Sequence, residues 1–207
     1  MTNLTLANRI WPQAASSNVV RNIVLAVVGS LLVAGAAQIT VPMWPVPMTL
    51  QTLAVLGVGA AYGARLGAAT LGLYAFEGAV GLPFFAGAKS GIFDAKLDYL
   101  LPASSMGYVV GFILAAWLVG KLVESGWVNS LFKSVVATLA GAVVLYVPGL
   151  VWLAIWASTA GVVPEGQGAF QTAMAWGLYP FMFGDAIKAV IAGMAVPAAG
   201  LMFARKG

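Results

Sequence analysis

Neither cysteine nor histidine occurs in the 207-residue chain. Their absence excludes disulfides, thiolate nucleophiles, histidine-held metals and serine–histidine relays together, so no catalytic set and no metal site is expected. Charge is the next scarcity: Asp, Glu, Lys and Arg make up 8% of residues, against about 25% in a soluble domain. A surface of this composition cannot face water. The net charge of +4 is too small and too scattered to argue for nucleic acid. A phosphate-cradling P-loop is also missing, because Gly120-Lys121 is followed by Leu122 instead of Ser or Thr. Any ATP-driven step therefore needs other subunits. The residues before Val19 are mixed and polar, without the apolar core and small-residue cleavage site of a removed leader.

What is present is apolar length. Residues are 61% hydrophobic and the mean hydropathy is +0.96, which predicts an all-α integral membrane protein. A spanning helix needs about 20 apolar residues. The pattern predicts six spans, at residues 19–38, 49–62, 66–80, 105–123, 131–157 and 180–203, with a short segment at 169–179. Residues 1–18 read as an N-terminal tail and 19–204 as a single membrane domain. Pro42, Pro45 and Pro47 break the first span from the second, Gly81-Leu82-Pro83 stops the third, and Pro148 marks a kink in the fifth. Pro180 suits a first helical turn, where a missing N–H does no harm.

Lys and Arg fix the expected orientation. One side collects Arg9, Arg21, Arg65, Lys121, Lys133, Arg205 and Lys206; the other has Lys89 and Lys96, beside Asp94, Asp98 and Glu165. That asymmetry puts both termini in the cytoplasm, and an even number of spans is needed to keep the basic ends together. Gln38, Gln51, Tyr74, Glu77, Tyr108, Asp185 and Lys188 then fall at one depth, in the outer half of the membrane. They describe an outward-facing pocket, with Trp44, Phe84, Phe85, Tyr179 and Phe181 supplying aromatic surface and Lys89 at its mouth.

Asp185 and Lys188 carry the most information. One charge at the centre of a span costs about 2.5–3.5 kcal/mol. Spaced i and i+3 on a helix, the two share a face. They form either a structural ion pair or a site for a small ligand with a hydrogen-bonding head and an apolar body. Ala26, Ser30 and Ala34 recur every four residues in the first span, a small-residue stripe that admits a partner helix or a helix of the same chain. An ion-coupled secondary transporter using Asp185 and Lys188 as a proton relay is a further reading, although no repeat links the two halves. An intramembrane enzyme using Glu77 and Asp185 as acid and base lacks a nucleophile. Self-association stays open.

Four blocks carry a family resemblance: Val46-Pro-Met-Thr-Leu-Gln-Thr52; Tyr74-x-x-Glu77-Gly78 running into Gly81-Leu-Pro-Phe-Phe-Ala-Gly87; Gly107-Tyr-Val-Val-Gly-Phe112; and Gly184-Asp-x-x-Lys188. Tyr146-x-x-Gly149-x-x-Trp152-Leu-Ala154 is similar too. Together they resemble BioY, the biotin-specific S components of energy-coupling factor (ECF) transporters. The resemblance implies a six-helix S-component bundle in the bacterial cytoplasmic membrane that captures biotin near its outer face. It implies no cofactor, with a transmembrane T component and ATPase subunits supplying energy. Asp185 and Lys188 match the family's pocket residues, and the Ala26–Ser30–Ala34 stripe is similar to the motif that meets the T component. Two departures stand out. The usual Pro-Thr-Gly-Gly-Tyr is Ser104-Ser-Met-Gly-Tyr108 here, and the usual Gly-Gly is Gly87-Ala88 followed by Lys89.

Overall fold

The computed structural model describes residues 5–11, 18–92 and 103–204; Asp94, Lys96, Asp98, Arg205 and Lys206 lie outside them. The helices are α1 (Leu6–Ile10), α2 (Asn18–Gln38), α3 (Gln51–Tyr62), α4 (Ala64–Ala79), α5 (Met106–Glu124), α6 (Leu131–Thr159), α7 (Ala169–Gly177) and α8 (Met182–Ala204). Four of them, α2, α5, α6 and α8, are long and apolar enough to cross a membrane. The outer surface is apolar, with Phe132 and Phe183 about four-fifths exposed. Water does not tolerate such a shell; lipid does. The chain is a multi-pass membrane protein.

Glycine sets how closely the helices approach. A Cβ at Gly111 would strike the Leu145 backbone, and one at Gly107 would strike Trp152 and the Pro148 carbonyl. α5 and α6 therefore pack backbone to backbone, and theirs is the most extensive helix pairing among the described residues. Gly120 does the same for α5 against the start of α4. Matched contacts run in opposite directions along α5 and α6, since Gly107 meets Pro148 whereas Gly141 meets Val119. The two helices are antiparallel.

Several boundaries differ from expectation for physical reasons. Residues 41–47 are not a plain break. Thr40–Val41 (β1) and Met48–Thr49 (β2) pair antiparallel, Thr40 opposite Thr49, so Thr49 ends a hairpin and α3 starts only at Gln51. α4 starts at Ala64, two residues early, because Gly63 at φ +85 turns the chain and the Glu124 carboxylate accepts from the Ala64 N–H at 2.8 Å. Pro180 sits in the turn before α8, not in its first turn. Pro148 lies inside α6, which continues through it as expected of a helix carrying an internal proline.

Part of the expected tail is packed. α1 lies against α3 and α8, and Arg21, 2% exposed, holds the segment down. Its Nε donates to the Trp11 carbonyl (2.7 Å) and one terminal nitrogen to Asn8 Oδ1 (2.7 Å). A buried guanidinium needs such acceptors, and α1 with the residue that follows it supplies them.

Candidate ligand pocket

Asp185 lies in the first turn of α8, where the helix dipole favours a carboxylate. Its Oδ1 accepts from Lys188 Nζ at 2.8 Å and its Oδ2 from the Tyr146 hydroxyl at 2.5 Å. Lys188 also donates to the Thr49 carbonyl at 2.7 Å, which ties α8 to the hairpin. The pair thus satisfies itself, as expected, but with two further anchors on other elements. A carboxylate has roughly four lone-pair sites. Two are used here, so Asp185 is neutralised and fixed in place while still able to accept from a ligand.

A second polar chain runs along the pocket wall. The Thr49 hydroxyl donates to Gln51 Oε1 (3.2 Å), Gln51 Nε2 to the Tyr74 hydroxyl (2.7 Å), and that hydroxyl to the Phe84 carbonyl (3.2 Å). Tyr108 donates to the Gly177 carbonyl at 2.8 Å and sets its ring edge-on to Tyr146, with centroids 6.1 Å apart.

These groups surround a partly open cavity whose empty space, about 610 Å³, includes the solvent at its mouth. Its polar lining is Thr49, Gln51, Thr52, Tyr74, Ser105, Tyr108, Tyr146 and Asp185; its apolar lining is Val46, Pro47, Phe85, Ala86, Val109, Phe112, Leu145 and Phe181. The hairpin, five helices and the loop after α4 all contribute. Most of these residues stand at one end of the bundle, with Gln51, Tyr108 and Asp185 each near the start of a helix.

The structure therefore brings Gln51, Tyr74, Tyr108 and Asp185 to the cavity, with Lys188 directly behind Asp185. It does not bring Glu77 or Lys89 into the lining. Glu77 is half-buried, and its Oε2 finds no hydrogen-bond partner among the described residues. The Lys89 side chain is exposed on the loop. Of the aromatic residues expected nearby, Phe85 and Phe181 line the cavity, whereas Trp44 and Tyr179 are exposed. Trp44 instead packs against Trp176 and Trp156. Tyr146 was missed as a site residue. The usable signal was a lone phenol in the middle of an apolar 29-residue helix, which needs a polar partner. That partner is 39 residues away.

The small-residue stripe on α2 turns inward. Ser30 is fully buried, Ala34 is 7% exposed and Ala26 is half-buried. The neighbouring Gly29 fits between Thr70 and Tyr62. In this conformation the stripe packs within the chain.

Residues 6–205 match the model of the BioY family. The chain belongs to that family. Its relatives include a probable biotin transporter BioY of Pyrococcus horikoshii, 33% identical over 75% of this chain and 82% of the relative. The biotin transporter BioY of Rhizobium etli is 34% identical over 72% of this chain and 75% of the relative. That of Thermotoga maritima is 29% identical over 84% and 92%. The crystal structure of an S component for biotin from an ECF-type ABC transporter superposes with a TM-score of 0.72, covering 94% of this chain and 96% of that one at 19% identity. The bundle is therefore a BioY-family bundle with the fold of an S component.

Proposed function

We propose that this protein captures biotin and serves its uptake as the S component of an ECF-type transporter. The observation that carries the reading is the cavity itself: one braced carboxylate and several hydroxyl and amide groups facing Phe85, Phe112 and Phe181, in a chain of the BioY family. Biotin has a ureido ring with two N–H donors and one carbonyl, an apolar bicycle, and a flexible carboxylate tail. Asp185 accepts from a ureido N–H; Gln51, Tyr108 and Tyr146 complete the polar side; the aromatic walls take the bicycle. The tail carboxylate leaves through the mouth, where Lys89 on its exposed loop is the available cation. Lys188 braces Asp185, and Glu77 supports the α4 side.

In this reading α3 and α4 also cross the membrane, giving six spans with both termini in the cytoplasm of a bacterial inner membrane. α3 is short, at about 18 Å for 1.5 Å per residue, and the hairpin above it makes up the remaining depth. A transmembrane T component and ATPase subunits drive release and use the ATP, and α2 is the docking helix. Titration calorimetry of the purified protein with biotin, riboflavin and thiamin tests the ligand. Saturable heat with biotin and none with the other two is expected; silence with biotin would reject the proposal.

A further inference from the structure

Gln38, the last residue of α2, stands outside the cavity, yet its side chain grips a piece of the cavity wall. Its Nε2 donates to the Ala34 carbonyl one turn back (3.1 Å) and to the Phe85 carbonyl (3.3 Å), while its Oε1 accepts from the Ala88 N–H (2.8 Å). The segment so held is a tight turn closed by the Phe85 N–H on the Lys89 carbonyl at 3.0 Å. Gly87 and Ala88 both adopt positive φ there, +71 and +56. Alanine pays for that left-handed conformation, which persists only where surrounding contacts enforce it.

The turn delivers Phe85 and Ala86 to the cavity lining. The Phe85 ring stacks edge-on to Tyr74, with centroids 5.8 Å apart. It lies over Gly78, where any Cβ would overlap the ring. The position of that ring therefore depends on a short turn whose backbone is fastened to α2 by one side chain and to α4 by the Tyr74 hydroxyl on the Phe84 carbonyl.

We propose that Gln38 is a positioning residue for the ligand pocket: by clasping both ends of the turn it holds Phe85 and Ala86 against the ligand. It touches no ligand itself and acts through Phe85. The inference rests on the biotin reading above for its ligand, but its structural half does not. Contacts with the wall are made in the bound state and not in the encounter, so loosening the wall acts chiefly on the off-rate.

The natural absence of cysteine allows a direct test. A spin label on Ser90→Cys, an exposed position beside the turn, reports turn mobility without any ligand. Gln38→Leu should raise that mobility and speed biotin dissociation about three- to tenfold, the size expected for ordinary hydrogen bonds, with association unchanged. Gln38→Glu keeps the acceptor for Ala88 but loses both donations, and should fall between wild type and Leu. In a Phe85→Ala background, Gln38→Leu should add nothing to the off-rate. Unchanged label mobility, or a full additive effect in the Phe85→Ala background, would overturn the proposal. Absence of biotin binding by wild type would instead reject the biotin reading, while the mobility measurement still judges the clasp.

Discussion

A carboxylate inside an apolar bundle is retained when its neighbours neutralise it more cheaply than protonation would. Asp185 has Lys188 on one oxygen and Tyr146 on the other, and Lys188 leans on the Thr49 carbonyl. Removing one partner of such a pair leaves an uncompensated charge, which costs about 3–5 kcal/mol for a fully buried pair. Asp185→Asn should therefore abolish measurable biotin binding and lower the thermal midpoint in detergent. Adding Lys188→Met should recover much of the midpoint but none of the binding, because it removes the stranded charge and not the missing acceptor. A double variant as unstable as the single one would mean that the pair is not what Asp185→Asn disrupts. Tyr146→Phe is the gentler probe. It deletes one hydrogen bond to a charged group within the chain, so binding should weaken by roughly tenfold or more and the midpoint should also fall, by less than in Asp185→Asn. Calorimetry with equal affinity for both proteins would remove Tyr146 from the polar side of the site.

The helices show where sequence is informative and where it stops. Apolar length located α2, α5, α6 and α8 within a few residues, because a span states its own requirement in one continuous run. The hairpin was invisible: strands of two residues have no periodicity, and the prolines at 42, 45 and 47 announced only that α2 could not continue. The pocket was legible in part. Gln51, Tyr74, Tyr108 and Asp185 were found as polar residues at one depth, but depth does not say which way a side chain turns, and Glu77 shared the depth without sharing the cavity. The α2 stripe makes the same point. Spacing of four residues gave a face, and in this conformation Ser30 and Ala34 on that face are buried within the chain. Ser30→Leu and Ala34→Leu should accordingly destabilise the protein itself, by about 1–3 kcal/mol each as core overpacking does, and reduce the yield of monodisperse protein before any partner is added. Full stability with loss of uptake alone would return the stripe to partner docking.

At the scale of the whole molecule, most of the described charges outside the helices' interior gather at two ends of the bundle, with Glu77 and the Asp185–Lys188 pair on the pocket side. Arg21, Arg65, Lys121 and Glu124 stand with the Gly63 turn and the end of α5, while Lys89 and Glu165 stand in the loops at the pocket end. Basic residues favour the cytoplasmic side, so under the proposed function this asymmetry predicts a cavity mouth that faces outward. That is the arrangement a capture subunit needs, since the vitamin arrives from outside. The chain's lack of cysteine again gives the measurement. In intact cells, a membrane-impermeant maleimide should label Ser90→Cys in the pocket-end loop and leave Ser125→Cys, just past α5, untouched until the cells are opened; both serines are exposed. The reverse pattern would put the mouth in the cytoplasm. Capture for uptake would then fail on topology, whatever the affinity of the pocket, because a site facing the product side at rest collects the ligand that transport is meant to release.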